Sequence, residues 1–196
     1  FSPLVTKKIN EVVGLNLPLA AICPSHGVIW RDNPLQIAQK YLQWAADYQE
    51  NQITIIYDTM WDGTRMLAEH VAKGIKQADD GVTVKLYNIS RSDINDVVTE
   101  VFKSKAILLG SPTINKGILN AIAALIDMIA GLRFKNKKAA AFGCYGWSGE
   151  SVKILTDRLA SAGFEVISDG LKALWQPGGE ELAQALAFGK ELAGKV

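Results

Sequence analysis

The sequence predicts an α/β protein: a doubly wound, five-stranded parallel sheet with helices on both faces, preceded by a short α-rich segment. Three observations predict it. From residue 53 onward, short apolar runs alternate five times with stretches of helical period. The central runs are continuously apolar, as strands are when helices cover both of their faces. Residues 1–52 do not share that rhythm, so they read as a separate piece.

The strands fall at 53–57, 82–88, 106–110, 139–144 and 165–167, the last continuing toward 171–175. The helices fall at 64–78, 94–103, 117–129, 148–162 and 180–193. Met66, Leu67, Val71 and Ile75 share one side of the first of these, which gives it an apolar face. Regular βα alternation implies a parallel sheet with right-handed crossovers. Five units in about 140 residues match the smaller of the common doubly wound folds.

The first 52 residues read as two helices and a buried strand. A helix over 3–13 carries Ile9, Val12 and Val13 on one face, and Gly14 stops it. Residues 19–22 read as the strand. Asp32, Asn33 and Pro34 form a helix-start signature, an Asx cap followed by proline at the first helical position. The helix they open runs over 34–49, with Leu35, Ala38, Tyr41, Leu42 and Ala45 on its apolar side. The polar stretch 47–52 is the expected linker. The domain division is therefore 1–52 and 53–196.

Composition narrows the function. The chain has 196 residues, enough for one domain and an appendage. Apolar residues make up 48% and charged residues 21%, which excludes a disordered chain. Twenty-one basic against twenty acidic side chains leave a charge of +1 and no basic field for a nucleic acid. The longest apolar runs are too short to span a bilayer, so no membrane is expected. Two cysteines, Cys23 and Cys144, without a C-x-x-C pair exclude a disulfide framework and a thiolate metal site, and fit a cytoplasmic protein. His26 and His70 are too few for a multi-histidine metal centre. A chain that starts at Phe1, with no Met and no signal-like stretch, reads as a piece of something longer.

In doubly wound sheets, ligands bind beyond the carboxyl ends of the strands. Three loops there carry chemistry. Thr59, Met60, Trp61, Asp62, Gly63 and Thr64 follow the first strand and lead into a helix N-terminus, whose free N–H groups and partial positive charge suit a phosphate. An ordinary βα loop with a capping Thr or Asp accounts for the same residues. Asp58 and Asp62 would repel a phosphate, so they are expected to point outward or cap the helix. Ser111, Pro112, Thr113, Ile114 and Asn115 follow the third strand, where proline stiffness and side-chain hydrogen bonds are equally those of a long turn. Gly143, Cys144, Tyr145, Gly146, Trp147, Ser148 and Gly149 follow the fourth. Three glycines there admit close backbone approach to a ligand, and two aromatics can face a flat ring or cover the sheet edge. Cys144 reads first as a small buried apolar group. Together the loops suit a ligand with a phosphate and a planar heteroaromatic ring, and FMN fits. No G-x-G-x-x-G follows the first strand, and no G-x-x-x-x-G-K-[ST] occurs, which disfavours dinucleotides and nucleotide triphosphates.

These three loops, with the run Cys23 to Arg31 (C-P-S-H-G-V-I-W-R), resemble the flavodiiron proteins over nearly the whole chain. The resemblance implies a flavodoxin-like FMN domain preceded by the last part, a remnant, of a metallo-β-lactamase-like domain. It implies an oxidoreductase that takes electrons from rubredoxin, or a rubredoxin-like domain, through FMN to a diiron centre. There nitric oxide, or oxygen, is reduced. It implies a head-to-tail dimer and makes His26 an iron ligand in an intact parent. The H-x-[EH]-x-D-H run of that metal domain is absent from this sequence, and no rubredoxin-like C-x-x-C pairs follow. The chain by itself is therefore expected to carry electrons, with no catalytic side chain.

Other readings of the same fold are weaker. A phospho-acceptor module needs an Asp at the end of the third strand, which here ends Leu109, Gly110, Ser111. A standalone FMN-dependent quinone or NAD(P)H oxidoreductase fits the loops but not the appendage at 1–52. A ligand-free flavodoxin-like interaction module would be colourless as purified, whereas bound FMN makes a protein yellow.

Overall fold

The computed structural model describes residues 2–196, which divide into two compact units, one ending at Tyr48 and the other running over Gln49–Val196. The first unit has α1 (Ser2–Gly14) and α2 (Leu35–Ala45). The buried strand expected at 19–22 does not form. Only Ile22 pairs, in one antiparallel bridge with Trp30 closed by two N–H···O bonds of 3.0 Å, and Leu19 is half-buried. A lone bridge has no neighbouring strand to extend it. α2 begins without the expected Asx cap, because Asn33 turns left-handed (φ 51°) and its side chain makes no cap bond. It also stops at Ala45, earlier than periodicity suggested. The Ala46 N–H bonds back to Gln43 O, and Asp47 turns left-handed.

In the second unit, β1 (Glu50–Tyr57), α3 (Gly63–Ala78), β2 (Thr83–Asn88), α4 (Ile94–Lys103), β3 (Ser104–Gly110) and α5 (Asn120–Leu132) come first. They are followed by β4 (Lys138–Tyr145), α6 (Glu150–Ser161), β5 (Glu165–Val166), β6 (Leu171–Leu174) and α7 (Gly179–Ala193). All pairings are parallel, in the order β2-β1-β3-β4-β5, with β6 also on β4. β5 and β6 are successive halves of one edge, as the interrupted apolar run at 165–175 implied. The expected linker at 47–52 is partly sheet. Glu50 already pairs with Ser104, and Gln52 with Thr83.

Alternation along the strands divides the core in two. Ile53, Ile55, Leu108, Ala140 and Phe142 face α3 and α7, while Ile56, Ile107, Leu109 and Ala141 face α4, α5 and α6. α3 and α7 cross almost backbone to backbone. A Cβ on Gly74 would stand 2.0 Å from Leu186 O, and one on Gly189 would stand 2.2 Å from Val71 O. No described helix is long and apolar enough to cross a membrane.

At the amino ends of the strands, a polar cluster is fully paired. Buried Gln52 donates from Nε2 to Glu100 Oε2 (2.8 Å) and Ser104 Oγ (3.0 Å), and Lys137 donates to Phe102 O and Ser104 O. Burial pushes the Glu100 carboxyl up, but the hydrogen bonds from Lys103 and Gln52 outweigh it and leave the group below its usual value.

Candidate functional site: a cleft at the carboxyl ends of the strands

β1 sends the chain to β2 on one side, and β3 returns on the other, so strand order reverses between β1 and β3. A cleft of about 720 Å³ opens there. Its lining comes from four strand ends and the segments that follow them. Thr59, Met60, Trp61, Gly63 and Thr64 come from the first, and Pro112, Thr113, Ile114, Asn115 and Lys116 from the second. Cys144 and Tyr145 end β4, Gly146, Trp147 and Ser148 follow it, and Trp175 and Gln176 follow β6.

The structure thus brings fourteen of the eighteen expected FMN contacts to one cleft; Asp62, Ser111, Gly143 and Gly149 do not line it. Asp62 is exposed and turns left-handed (φ 63°) before α3 without capping it. Its carboxylate instead accepts from Arg65 Nε at 2.9 Å, and that bond, with the Arg65 charge, holds its carboxyl below the usual value. Asp58 does not point outward. It is buried, accepting from Thr59 N (2.9 Å) and from Ser90 Oγ (2.6 Å), and so ties the first loop to the turn after β2. Ser111 is an internal brace. Its Oγ donates to Pro112 O and accepts from Leu119 N.

Gly143 in β4, and Gly146 and Gly149 beyond it, each let another part of the protein approach closely. A Cβ on Gly143 would lie 2.0 Å from Ser111 O; on Gly146, 2.9 Å from the Trp175 ring; and on Gly149, 3.1 Å from Tyr145. β3 and β4 are thereby drawn together at the cleft floor, where Thr113 N donates to Cys144 O at 2.8 Å. The helix expected from 117 starts only at Asn120, because Ile114 and Gly117 close a tight turn with reciprocal N–H···O bonds of 3.2 and 2.7 Å. The next helix, expected from 148, starts at Glu150, where the Ser151 N–H bonds to Thr113 Oγ1.

The first loop holds two hydroxyls without a partner. Thr59 Oγ1 and Thr64 Oγ1 are both buried with no hydrogen-bond partner, although Thr64 as a whole is 1% exposed. Cys144 lies near enough for the Thr64 hydroxyl to affect its thiol, but sulfur is too weak a partner to satisfy an oxygen. Native interiors seldom strand such groups, and α3 leaves its first N–H groups uncapped by any side chain beside them. Cys144 is 7% exposed and belongs to the core as expected, yet it also lines the cleft. Burial pushes its thiol up to about 11.

Aromatic rings form another wall. Trp147 is 90% exposed and Trp61 85% exposed, whereas Tyr145 is half-buried. Trp147 and Trp175 meet edge to face. Lys116, Trp175 and Gln176 were not anticipated. An Asn-Lys-Gly turn and a tryptophan at the carboxyl end of the last strand were the available signals.

His26 stands exposed in the first unit, and the described residues hold no cluster of three or more metal-ligating side chains. His70 is half-buried, with Nδ1 2.8 Å from Met66 O.

A parallel sheet of this order, with a ligand-sized cleft at its switch point, defines a class. Residues 55–189 match the flavodoxin family, and the chain belongs to it. It is also 51% identical, over 98% of its length, to the anaerobic nitric oxide reductase flavorubredoxin of Aeromonas hydrophila. Among solved structures it resembles the rubredoxin oxygen:oxidoreductase of Desulfovibrio gigas, with a TM-score of 0.90 and 34% identity over 99% of this chain. The flavodiiron protein of Giardia intestinalis matches the whole chain with a TM-score of 0.89 and 26% identity. The chain spans 39% of the first relative and 48% of each of those two structures.

Proposed function

We propose that the second unit is an FMN-holding electron carrier. The observation that carries this reading is the pair of buried, unpartnered hydroxyls on Thr59 and Thr64 beside the uncapped start of α3. Two hydroxyl donors and a helix N-terminus fit a phosphate. The aromatic and apolar remainder of the cleft fits a flat ring, so the residues present suit the cofactor.

Bound FMN supplies the ring that accepts and releases electrons. The chain's part is to hold and orient it. Thr59 and Thr64 donate to the phosphate, and Tyr145 and Trp147 offer ring faces. The backbone after β4 presents N–H groups to the ring's polar edge. No side chain acts as nucleophile or base.

In a longer protein, this unit would take electrons from rubredoxin or a rubredoxin-like domain. It would pass them to a diiron centre that reduces nitric oxide or oxygen. Support comes from the names of the relatives above, one a nitric oxide reductase and one an oxygen oxidoreductase. In that setting residues 1–52 belong to a metallo-β-lactamase-like domain, His26 ligates iron, and the assembly is a head-to-tail dimer in the cytoplasm.

The test is a titration of the 196-residue chain with FMN and with riboflavin, which lacks the phosphate. Saturable one-to-one quenching of FMN fluorescence, with riboflavin bound more weakly, supports the reading. No quenching by excess protein overturns it.

A further inference from the structure

We infer that Lys116 is the charge that biases this cleft toward the reduced form of its flavin; the inference rests on the FMN reading above. Lys116 is the one residue among Lys, Arg, Asp and Glu on the cleft lining. The two carboxylates of the first loop are engaged by other groups, Asp58 by Ser90 and Asp62 by Arg65. Among the described residues, no carboxylate pairs with Lys116. No Asp or Glu is among the other lining residues.

Its backbone is held firmly. Asn115 and Lys116 both turn left-handed (φ 49° and 58°), and the reciprocal bonds between Ile114 and Gly117 close the turn around them. Left-handed backbone is costly for any residue with a Cβ. Such strain, kept at the rim of a ligand cleft, points to a positional role.

The chemistry gives the sign. Two electrons and one proton convert FMN to a reduced form with one more negative charge on the ring. A fixed cation on the wall therefore binds the reduced form more tightly than the oxidised one. The screening length is about 10 Å at 0.1 M salt, so the charge is felt by a ring bound beside that wall. Lys116 itself is exposed, which weakens the effect below that of a buried pair.

The test compares wild type with Lys116→Arg, Lys116→Gln and Lys116→Glu. Affinities are measured for oxidised FMN and, anaerobically, for FMN reduced by dithionite, which supplies both electrons and becomes sulfite. The preference for reduced over oxidised FMN should be kept in Lys116→Arg. It should fall about three- to tenfold in Lys116→Gln and again in Lys116→Glu, and the differences should shrink in high salt. An equal preference in all four proteins overturns the inference while leaving FMN binding intact. So does an equal loss of both affinities, because that is the signature of a lysine that grips only the phosphate. Failure of wild type to bind FMN overturns this inference and the FMN reading together.

Discussion

The indole of Trp147, on the loop after β4, meets that of Trp175, after β6, edge to face, with ring centroids 4.9 Å apart and planes inclined at 71°. Neither ring is buried, yet they are fixed from two strands. Trp175 N donates to Tyr145 O at 2.7 Å, and Trp175 itself turns left-handed (φ 54°). Coupled indoles in this geometry should give an exciton couplet in far-ultraviolet circular dichroism. Trp175→Ala should abolish the couplet and weaken FMN binding about two- to tenfold, since an edge-to-face aromatic pair contributes about 0.5–1.5 kcal/mol. A couplet that survives the substitution would show the pair to be incidental.

Thr64→Val tests the phosphate end. The substitution removes a buried hydroxyl that has no partner while keeping the side-chain shape. The FMN-free protein should gain about 1 kcal/mol in urea unfolding, because the cost of stranding that oxygen disappears. FMN affinity should fall about tenfold or more, while riboflavin affinity stays within a factor of about two, as expected for a lost bond to a charged oxygen. Equal losses for both ligands would place the hydroxyl against the ring instead.

The two cysteines should label very differently. Cys23 is exposed, whereas Cys144 is buried and its thiol is pushed up to about 11. At pH 8, iodoacetamide should modify Cys144 about a hundredfold more slowly than Cys23, since only thiolates react. Mass spectrometry of peptides from a time course reads both sites, and comparable rates would refute the assigned environment.

Glu100 should make the fold acid-sensitive. Its folded-state carboxyl lies below its usual value, so the stability it contributes is present above the unfolded value of about 4.5 and is lost as pH falls through the lower folded one. Glu100→Gln should cost about 1 kcal/mol at pH 7, a modest figure because its partner Lys103 is 34% exposed. Below about pH 4.5 the gap between mutant and wild type should close. Urea unfolding at pH 7 and at pH 3.5 checks both halves, and parallel pH profiles would rule the carboxylate out.

The strands and helices of the second unit were legible because their signals are local. Ile53, Ile55 and Ile56 lie in one continuous apolar run, and α3 and α4 carry their apolar residues at helical spacing. Boundaries failed where a distant partner decided them. α5 starts late because the Ile114–Gly117 turn precedes it and Leu119 N bonds to Ser111 Oγ, and Ser151 N at the start of α6 bonds to Thr113 Oγ1. Residues 19–22 read as a strand on apolar content alone, but a strand needs neighbours, and only Trp30 supplies one pairing. Gly143 shows the same limit at the site. Its lack of a side chain signalled close approach, but not that Ser111 is what approaches.

The order of apolar and polar residues determined by itself that this chain alternates strand and helix, and that three polar or aromatic loops share one edge of the sheet. Periodicity encodes which face of an element is buried, and chain direction encodes which end of a strand a loop follows. Tertiary structure decided that Asp58 turns to Ser90, that Thr59 and Thr64 are left without partners, that Trp175 joins Trp147, and that Lys116 is the cleft's lone charge. Those are properties of neighbourhoods, set by groups far apart in the chain, and a buried hydroxyl or an unpaired cation exists only once everything around it is in place.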